Sequence, residues 1–411
     1  MKDLAVATAL RKRPMEGNKW SLWLPSAILF QIVSVILTAV YVHGASVPAL
    51  YVFGDSTVDC GTNNYINTTQ AFRGNFPPYG KDFFKNPTGR FSNGRVIVDF
   101  IVEYAGKPLI PPFLEPNADL SHGANFGSGG AGVLVETNEG HVVDLQTQLR
   151  QFLHHKAEVT EKSGQAFAEE LFSDAVYIVS IGSNDYLGGY FGNPKQQEKY
   201  TPEQFVRAVA TSIVESIKIL YSSGARKIVV FDLGPMGCLP ALRDLEETRS
   251  CSAPVSAVAA AHNDAVKGAL SQLGQFLPGL TIVTTNFYKF FSERLENPSQ
   301  YGYVSVDEPC CGAGPCEGRC GVHEGHPSKP ECQHCSDANT YVWWDPYHPS
   351  ETVHHQFAQT VWNGTSPYIE PVAMLHLFKQ KAEAHGNYAD KLDLFVGDPL
   401  QQLVSESMLM T

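Results

Sequence analysis

The sequence predicts an α/β protein whose mainly parallel sheet is covered by helices on both faces. Three observations predict it. Lys227 to Leu233 is a Val/Ile-rich run, followed by a helical stretch from about Pro254 to Leu273, a second run from Leu280 to Thr285 and a further helical stretch from about Tyr288. That is a β-α-β-α rhythm. The strand-like runs are apolar throughout, as strands buried on both faces require, and polar or glycine-rich fragments follow them directly, where open parallel sheets place their ligands.

The elements follow in order. Val47 to Phe53 reads as the first strand and delivers Gly54-Asp55-Ser56-Thr57. Ala175 to Ile181, bounded by turn residues, reads as a buried strand that delivers Gly182-Ser183-Asn184-Asp185. Thr201-Pro202-Glu203-Gln204 combines a threonine cap, a proline at the first helical position and a glutamine three residues past the cap. It opens a helix to about Tyr221. Residues 366–411 form a C-terminal extension in which Met374 to Phe378 reads as a short amphipathic helix, before Gly386, Asn387, Gly397, Asp398 and Pro399 break the pattern. A docked segment, a disordered one and a propeptide are all compatible with it. The sequence shows no internal repeat and no low-complexity linker.

Composition narrows the function classes. With 411 residues, 43% hydrophobic and 18% charged, the chain is long enough for one large globular domain, placed at residues 46–365. A net charge of −12 without a basic stripe argues against a nucleic-acid partner. Lys2, Arg11, Lys12, Arg13 and Lys19 precede an apolar stretch from Trp20 to Val42 and the small residues Gly44, Ala45 and Ser46, the pattern of a secretory signal over residues 1–45. The apolar stretch is also long enough for an uncleaved anchor. Against that, the first strand would begin only a few residues past the bilayer, and no later stretch is long and apolar enough to span.

Asn67-Thr68-Thr69 and Asn363-Gly364-Thr365 are glycosylation sequons, which fit a secreted chain in the extracellular space or cell wall. Six of the nine cysteines lie between Cys310 and Cys335. Cys316, Cys320, Cys332 and Cys335, with His323, His326 and His334, can be read as a zinc knuckle, but an oxidising destination favours disulfides. Cys238 and Cys251 are plausible partners, and Cys60 is the best candidate for a free thiol.

The fragments after the strands carry the chemistry. A serine hydroxyl is a weak nucleophile, so a histidine must take its proton while a carboxylate orients the imidazole. Ser56 ends the first strand, and Asp345-Pro346-Tyr347-His348 puts a carboxylate and an imidazole in one turn. Asn184 can offer a side-chain amide to an oxyanion, and the glycine-dense Asn125 to Gly132 loop can offer backbone amides. In order and wording these four blocks resemble the GDSL esterase/lipase family, the plant-type branch of the SGNH hydrolases. Phe76-Pro77-Pro78-Tyr79-Gly80, Gly89-Arg90-Phe91-Ser92-Asn93-Gly94-Arg95, Gly234-Pro235-Met236-Gly237-Cys238-Leu239-Pro240, and Tyr301-Gly302-Tyr303 followed by Cys310-Cys311-Gly312 extend the likeness, from about Val47 to about Thr365.

The resemblance implies a flavodoxin-like three-layer α/β/α sandwich and a secreted serine carboxylester hydrolase acting on acyl esters or lipids. It implies Ser56 as nucleophile, His348 as base, Asp345 as its orienting acid, and Gly129 and Asn184 as oxyanion donors beside the Ser56 amide. No metal or organic cofactor is implied. Thr57 stands where the family name has leucine, a position without a chemical role.

Other readings stay open. The family includes acyltransferases that build extracellular polyesters such as cutin, and an inherited fold can serve a non-catalytic binding protein. Gly127-Ser128-Gly129-Gly130-Ala131-Gly132 matches a dinucleotide-binding string, although no convincing strand precedes it and no helix follows. Phe72, Phe76, Tyr79, Phe83 and Phe84 either line an acyl groove or pack the core, the commoner fate of aromatics. Acyl chain length, the alcohol moiety and oligomeric state are beyond the sequence.

Overall fold

Leu50–Gly54 (β1) and Val176–Ser180 (β3) are buried at every position, a pattern available only to strands with neighbours on both edges and layers on both faces. In this computed structural model, which describes residues 47–312, 320–321 and 334–380, they form the centre of a six-stranded sheet. The order is β2-β1-β3-β4-β5-β8, with β2 Gly123–Asn125, β4 Lys227–Val230, β5 Thr281–Thr285 and β8 Ile369–Glu370. The first five are parallel and β8 closes the edge antiparallel to β5. The order 2-1-3-4-5 is that of flavodoxin-like sheets, and its reversal lies between β1 and β3.

Helices Leu145–Ser163, Pro202–Ser222 and Ala253–Phe276 pack against one another, and Ile97–Tyr104, Glu351–Asn363 and Met374–Lys379 form a second group. This is the expected three-layer α/β/α arrangement. The capping box forms as read: Thr201 Oγ1 accepts from Gln204 N, and Gln204 Oε1 accepts from Thr201 N at 2.8 Å. The fourth strand stops at Val230, short of the expected Leu233. There the Asp232 and Leu233 amides turn to side chains, Thr285 Oγ1 at 3.4 Å and Asn263 Oδ1 at 2.8 Å.

Packed structure continues beyond residue 365. β8 joins the sheet, and Met374 and Leu377 on the following helix are buried in the main core. The expected signal or anchor over residues 1–45 and the tail beyond 380 lie outside the described residues. Among the described residues no helix is long and apolar enough to cross a membrane.

A two-stranded parallel sheet, β6 Ser305–Pro309 and β7 Tyr341–Trp343, stands beside the main one. Side chains alternate along a strand, so Trp343 joins the main core while Trp344 joins a second apolar cluster with Tyr79, Phe91, Cys310 and Cys311. Disulfides Cys310–Cys335 and Cys311–Cys320 tie this cluster together, and Cys238–Cys251 forms as expected. Cys320 and Cys335 are thereby removed from the zinc alternative, whose Cys316, Cys332, His323 and His326 lie outside the described residues. Cys60 is free and buried.

Candidate active site

The pairing of β1 with β3, Phe53 opposite Val179 and Gly54 opposite Ser180, brings the two chemistry-bearing turns out side by side at the reversal point of the sheet. Gly54 is required there by close approach: a Cβ would lie 2.2 Å from the Ser180 carbonyl oxygen. Past it the chain makes one tight turn, with Val58 N and Asp59 N both donating to Asp55 O, which presents Ser56.

Ser56 Oγ lies 2.8 Å from His348 Nε2, and His348 Nδ1 lies 2.8 Å from each oxygen of Asp345. Asp345 Oδ1 also accepts from the Tyr347 and His348 amides at 2.8 and 2.9 Å, and Oδ2 accepts from the Tyr79 hydroxyl at 2.7 Å. Burial works against the Asp345 anion, but His348, Tyr79 and the Tyr347 amide outweigh it and hold the carboxyl below its ordinary range. A carboxylate held ionised can fix the imidazole tautomer.

Asn184 lines the same cavity, with one Nδ2 hydrogen on Ala131 O at 3.0 Å. An amide carries two such hydrogens, which leaves one for a ligand. Gly129 does not stand as expected. Its N–H donates to Asp59 Oδ2 at 2.8 Å, and its Cα faces the Phe91 ring, where a Cβ would lie 2.4 Å from Cε2. The glycine of this loop that lines the cavity is Gly130, held at φ 83°, whose N–H meets no acceptor among the described residues. Gly129 is a glycine because Phe91 needs the space, and Phe91 in turn lies 4.8 Å, centroid to centroid, from the His348 ring.

Two buried carboxylates shape this loop. Asp59 accepts from Gly61 N, Thr62 N and Gly129 N at 2.7 to 2.8 Å, while Asp185 accepts from Val133 N, Leu134 N and Thr137 Oγ1 at 2.7 to 3.0 Å. Burial pushes each up to about 6 against the pull of those donors. The dinucleotide reading fails on the same geometry. The Gly127, Ser128, Gly129 and Ala131 amides already donate to Asn125 Oδ1, Gly54 O, Asp59 Oδ2 and Ser128 O, and the next helix starts only at Leu145.

The cavity between these turns holds about 320 Å³ and is walled mainly by Phe72, Leu187, Met236, Phe287, Phe291 and Trp343. Of the five aromatics left between groove and core, Phe72 alone lines it. Phe76 and Tyr79 belong to the second apolar cluster, and Phe83 and Phe84 stack under Arg95 and Arg90. Sequence reading missed the parts of Tyr79, Asp59, Asp185 and Phe91. For Tyr79 a signal existed: a tyrosine buried among phenylalanines must find a partner for its hydroxyl.

An open α/β/α sheet with a serine, a histidine and a carboxylate in hydrogen-bonded series at its reversal point, beside an apolar cavity, defines a protein of the serine hydrolase class. The model of the GDSL-like Lipase/Acylhydrolase family matches residues 50–361. A GDSL lipase of Tanacetum cinerariifolium is 38% identical over 360 residues, 87% of this chain and 95% of the relative. GDSL esterase/lipase 4 and GDSL esterase/lipase 1 of Arabidopsis thaliana are 40% and 37% identical over 342 residues, 80% of this chain and 90% of each relative. The chain belongs to the GDSL lipase/acylhydrolase family and is a carboxylic ester hydrolase.

Proposed function

We propose that this protein is a secreted hydrolase of acyl esters or lipids, working through Ser56, His348 and Asp345 with an acyl-enzyme between two half-reactions. The observation that carries the reading is the series Ser56 Oγ, His348 Nε2 and Nδ1, and Asp345, with both links at 2.8 Å. Ser56 Oγ attacks the ester carbonyl carbon as His348 Nε2 takes its proton. The oxyanion is met by the N–H groups of Ser56 and Gly130 and by Asn184 Nδ2. His348 then returns the proton to the leaving alcohol, and water repeats the sequence to release the acid. No cofactor enters. The apolar walls suit an acyl chain, and Ser56, Asn184 and His348 are among the polar groups of the lining, as ligand sites generally combine the two.

Secretion rests on the signal-like amino terminus, on three disulfides and on the exposure of both sequon residues, Asn67 and Asn363. The deciding experiment combines fluorophosphonate labelling with a panel of chromogenic acyl esters of rising chain length, with and without an added alcohol. Labelling and turnover that both vanish in Ser56→Ala are expected. Labelling of another serine sinks the assignment, transfer to the alcohol in preference to water makes the protein an acyltransferase, and no turnover of any ester makes it a binding protein.

A further inference from the structure

We propose that Tyr79 is a positioning residue for the hydrolytic reaction, its hydroxyl holding the Asp345 carboxylate in the orientation that serves His348. The inference rests on the serine mechanism above. Asp345 Oδ1 is fixed by two backbone amides of its own turn, whereas Oδ2 has one donor besides His348 among the described residues, Tyr79 Oη at 2.7 Å. Without it the carboxylate is free to rock about Oδ1, and a base is only as well aimed as the group behind it.

Tyr79 is built to be rigid. Its ring stands edge-on to Phe76, Phe91 and Trp344, with centroids 5.2 to 6.2 Å apart, and the following amide, Gly80 N, donates to Ser92 O at 2.9 Å. The hydroxyl thus reaches Asp345 across 266 positions of sequence from a segment with its own packing. Tyr79 is not among the residues lining the cavity, so it has no route to substrate except through Asp345.

The contact predicts a direction in the pH profile. The titratable groups facing this pair are Tyr79 and Tyr347 around Asp345, and Asp55 and His354 around His348. Burial, and then Asp345, push the Tyr79 hydroxyl well above its ordinary value, so it remains a donor across the working range. Removing that donor leaves the carboxylate buried with less to stabilise its charge, and its pKa rises. A carboxylate that takes up its proton at higher pH stops serving His348 at higher pH, so the acid limb of kcat/KM moves up.

The test compares wild type, Tyr79→Phe, Asp345→Asn, the double variant and Ser56→Ala on one short-chain ester. Tyr79→Phe should lower kcat about ten-fold, leave KM nearly unchanged and raise the acid limb by about one pH unit, one hydrogen bond's share of a carboxylate shift. In the Asp345→Asn background it should add nothing. Should Tyr79→Phe misfold, a ring-fluorinated tyrosine at position 79 keeps the packing and strengthens the donor, and it should move the acid limb down. A lower kcat with an unmoved limb, or a raised KM at constant kcat, overturns the proposal and makes Tyr79 a packing or cavity residue. Turnover that survives Ser56→Ala sinks the serine mechanism instead, which keeps the two failures apart.

Discussion

A methyl group added at Gly129 should disable the enzyme by way of Phe91. The φ of Gly129 is outside the left-handed region, so alanine meets no backbone penalty, and it keeps the N–H that donates to Asp59. What changes is space. The new Cβ would lie 2.4 and 2.5 Å from Phe91 Cε2 and Cζ, against roughly 3.5 Å or more for carbons in contact, so the ring must retreat by about 1 Å. Phe91 is 4% exposed, lines the cavity and stands beside the His348 imidazole, so its retreat is into the space shared by the cavity and that imidazole. A displacement of about 1 Å at a reacting group is worth about 100-fold in rate, and overpacking costs about 1–3 kcal/mol of stability. Gly129→Ala should therefore lose about 100-fold in kcat on a chromogenic ester and unfold at lower urea. Phe91→Ala has its own cost, but adding Gly129→Ala to it should cost less than about three-fold. An equal loss in both backgrounds would refute the route through Phe91, and a wild-type rate for the single variant would refute the clash itself.

Further outcomes follow from the same geometry. Asn184→Ala should lower kcat by about 100 to 1,000-fold with a smaller change in KM; an effect on KM alone would make Asn184 a binding group. Asp345→Asn should approach the loss of His348→Ala, measured side by side, whereas a loss of a few fold would leave a Ser56-His348 dyad. Asp185 binds its proton more tightly folded, at about 6, than at its ordinary 3.8. Its contribution to stability is thus fullest below 3.8 and is lost as pH rises through 6. Urea unfolding at about pH 4.5 and about pH 7.5 should show a difference about 2 kcal/mol smaller in Asp185→Asn than in wild type; equal pH dependence would show the carboxyl to be unshifted. Reduction of the Cys310–Cys335 and Cys311–Cys320 disulfides should abolish fluorophosphonate labelling before far-ultraviolet dichroism changes, because the Cys310 and Cys311 amides hold the Trp343 and Trp344 carbonyls just ahead of Asp345. Labelling that persists to global unfolding would contradict this.

Much of this was legible in the sequence because the signals were local. Ser56 and Asn184 each sit at the end of a readable run, Asp345 and His348 declare themselves by a spacing of three, and the Thr201 cap declares its helix within four residues. β2 was not legible: Gly123–Asn125 has no apolar run and becomes a strand only because the edge of β1 is free to pair. β8 is two residues long and owes its place to β5. The choice between Gly129 and Gly130 was hidden for a related reason. In a loop dense in glycine, the amides of Gly129, Val133 and Leu134 are turned by Asp59 and Asp185, which lie 70 and about 50 positions away. Tyr79 escaped because its partner is farther still.

The distance along the chain between Ser56 and His348, 292 positions, has a consequence for how the enzyme comes to life. A ribosome delivers Ser56 near the beginning and His348 near the end, and contacts so remote close only after the chain between them has collapsed. A chain cut before β7 retains β1, β3 and an intact Ser56, yet it holds a hydroxyl with nothing to take its proton. On the proposed mechanism, truncated and half-folded copies should therefore be silent toward esters. Turnover per molecule, in turn, counts the chains that reached the last strand.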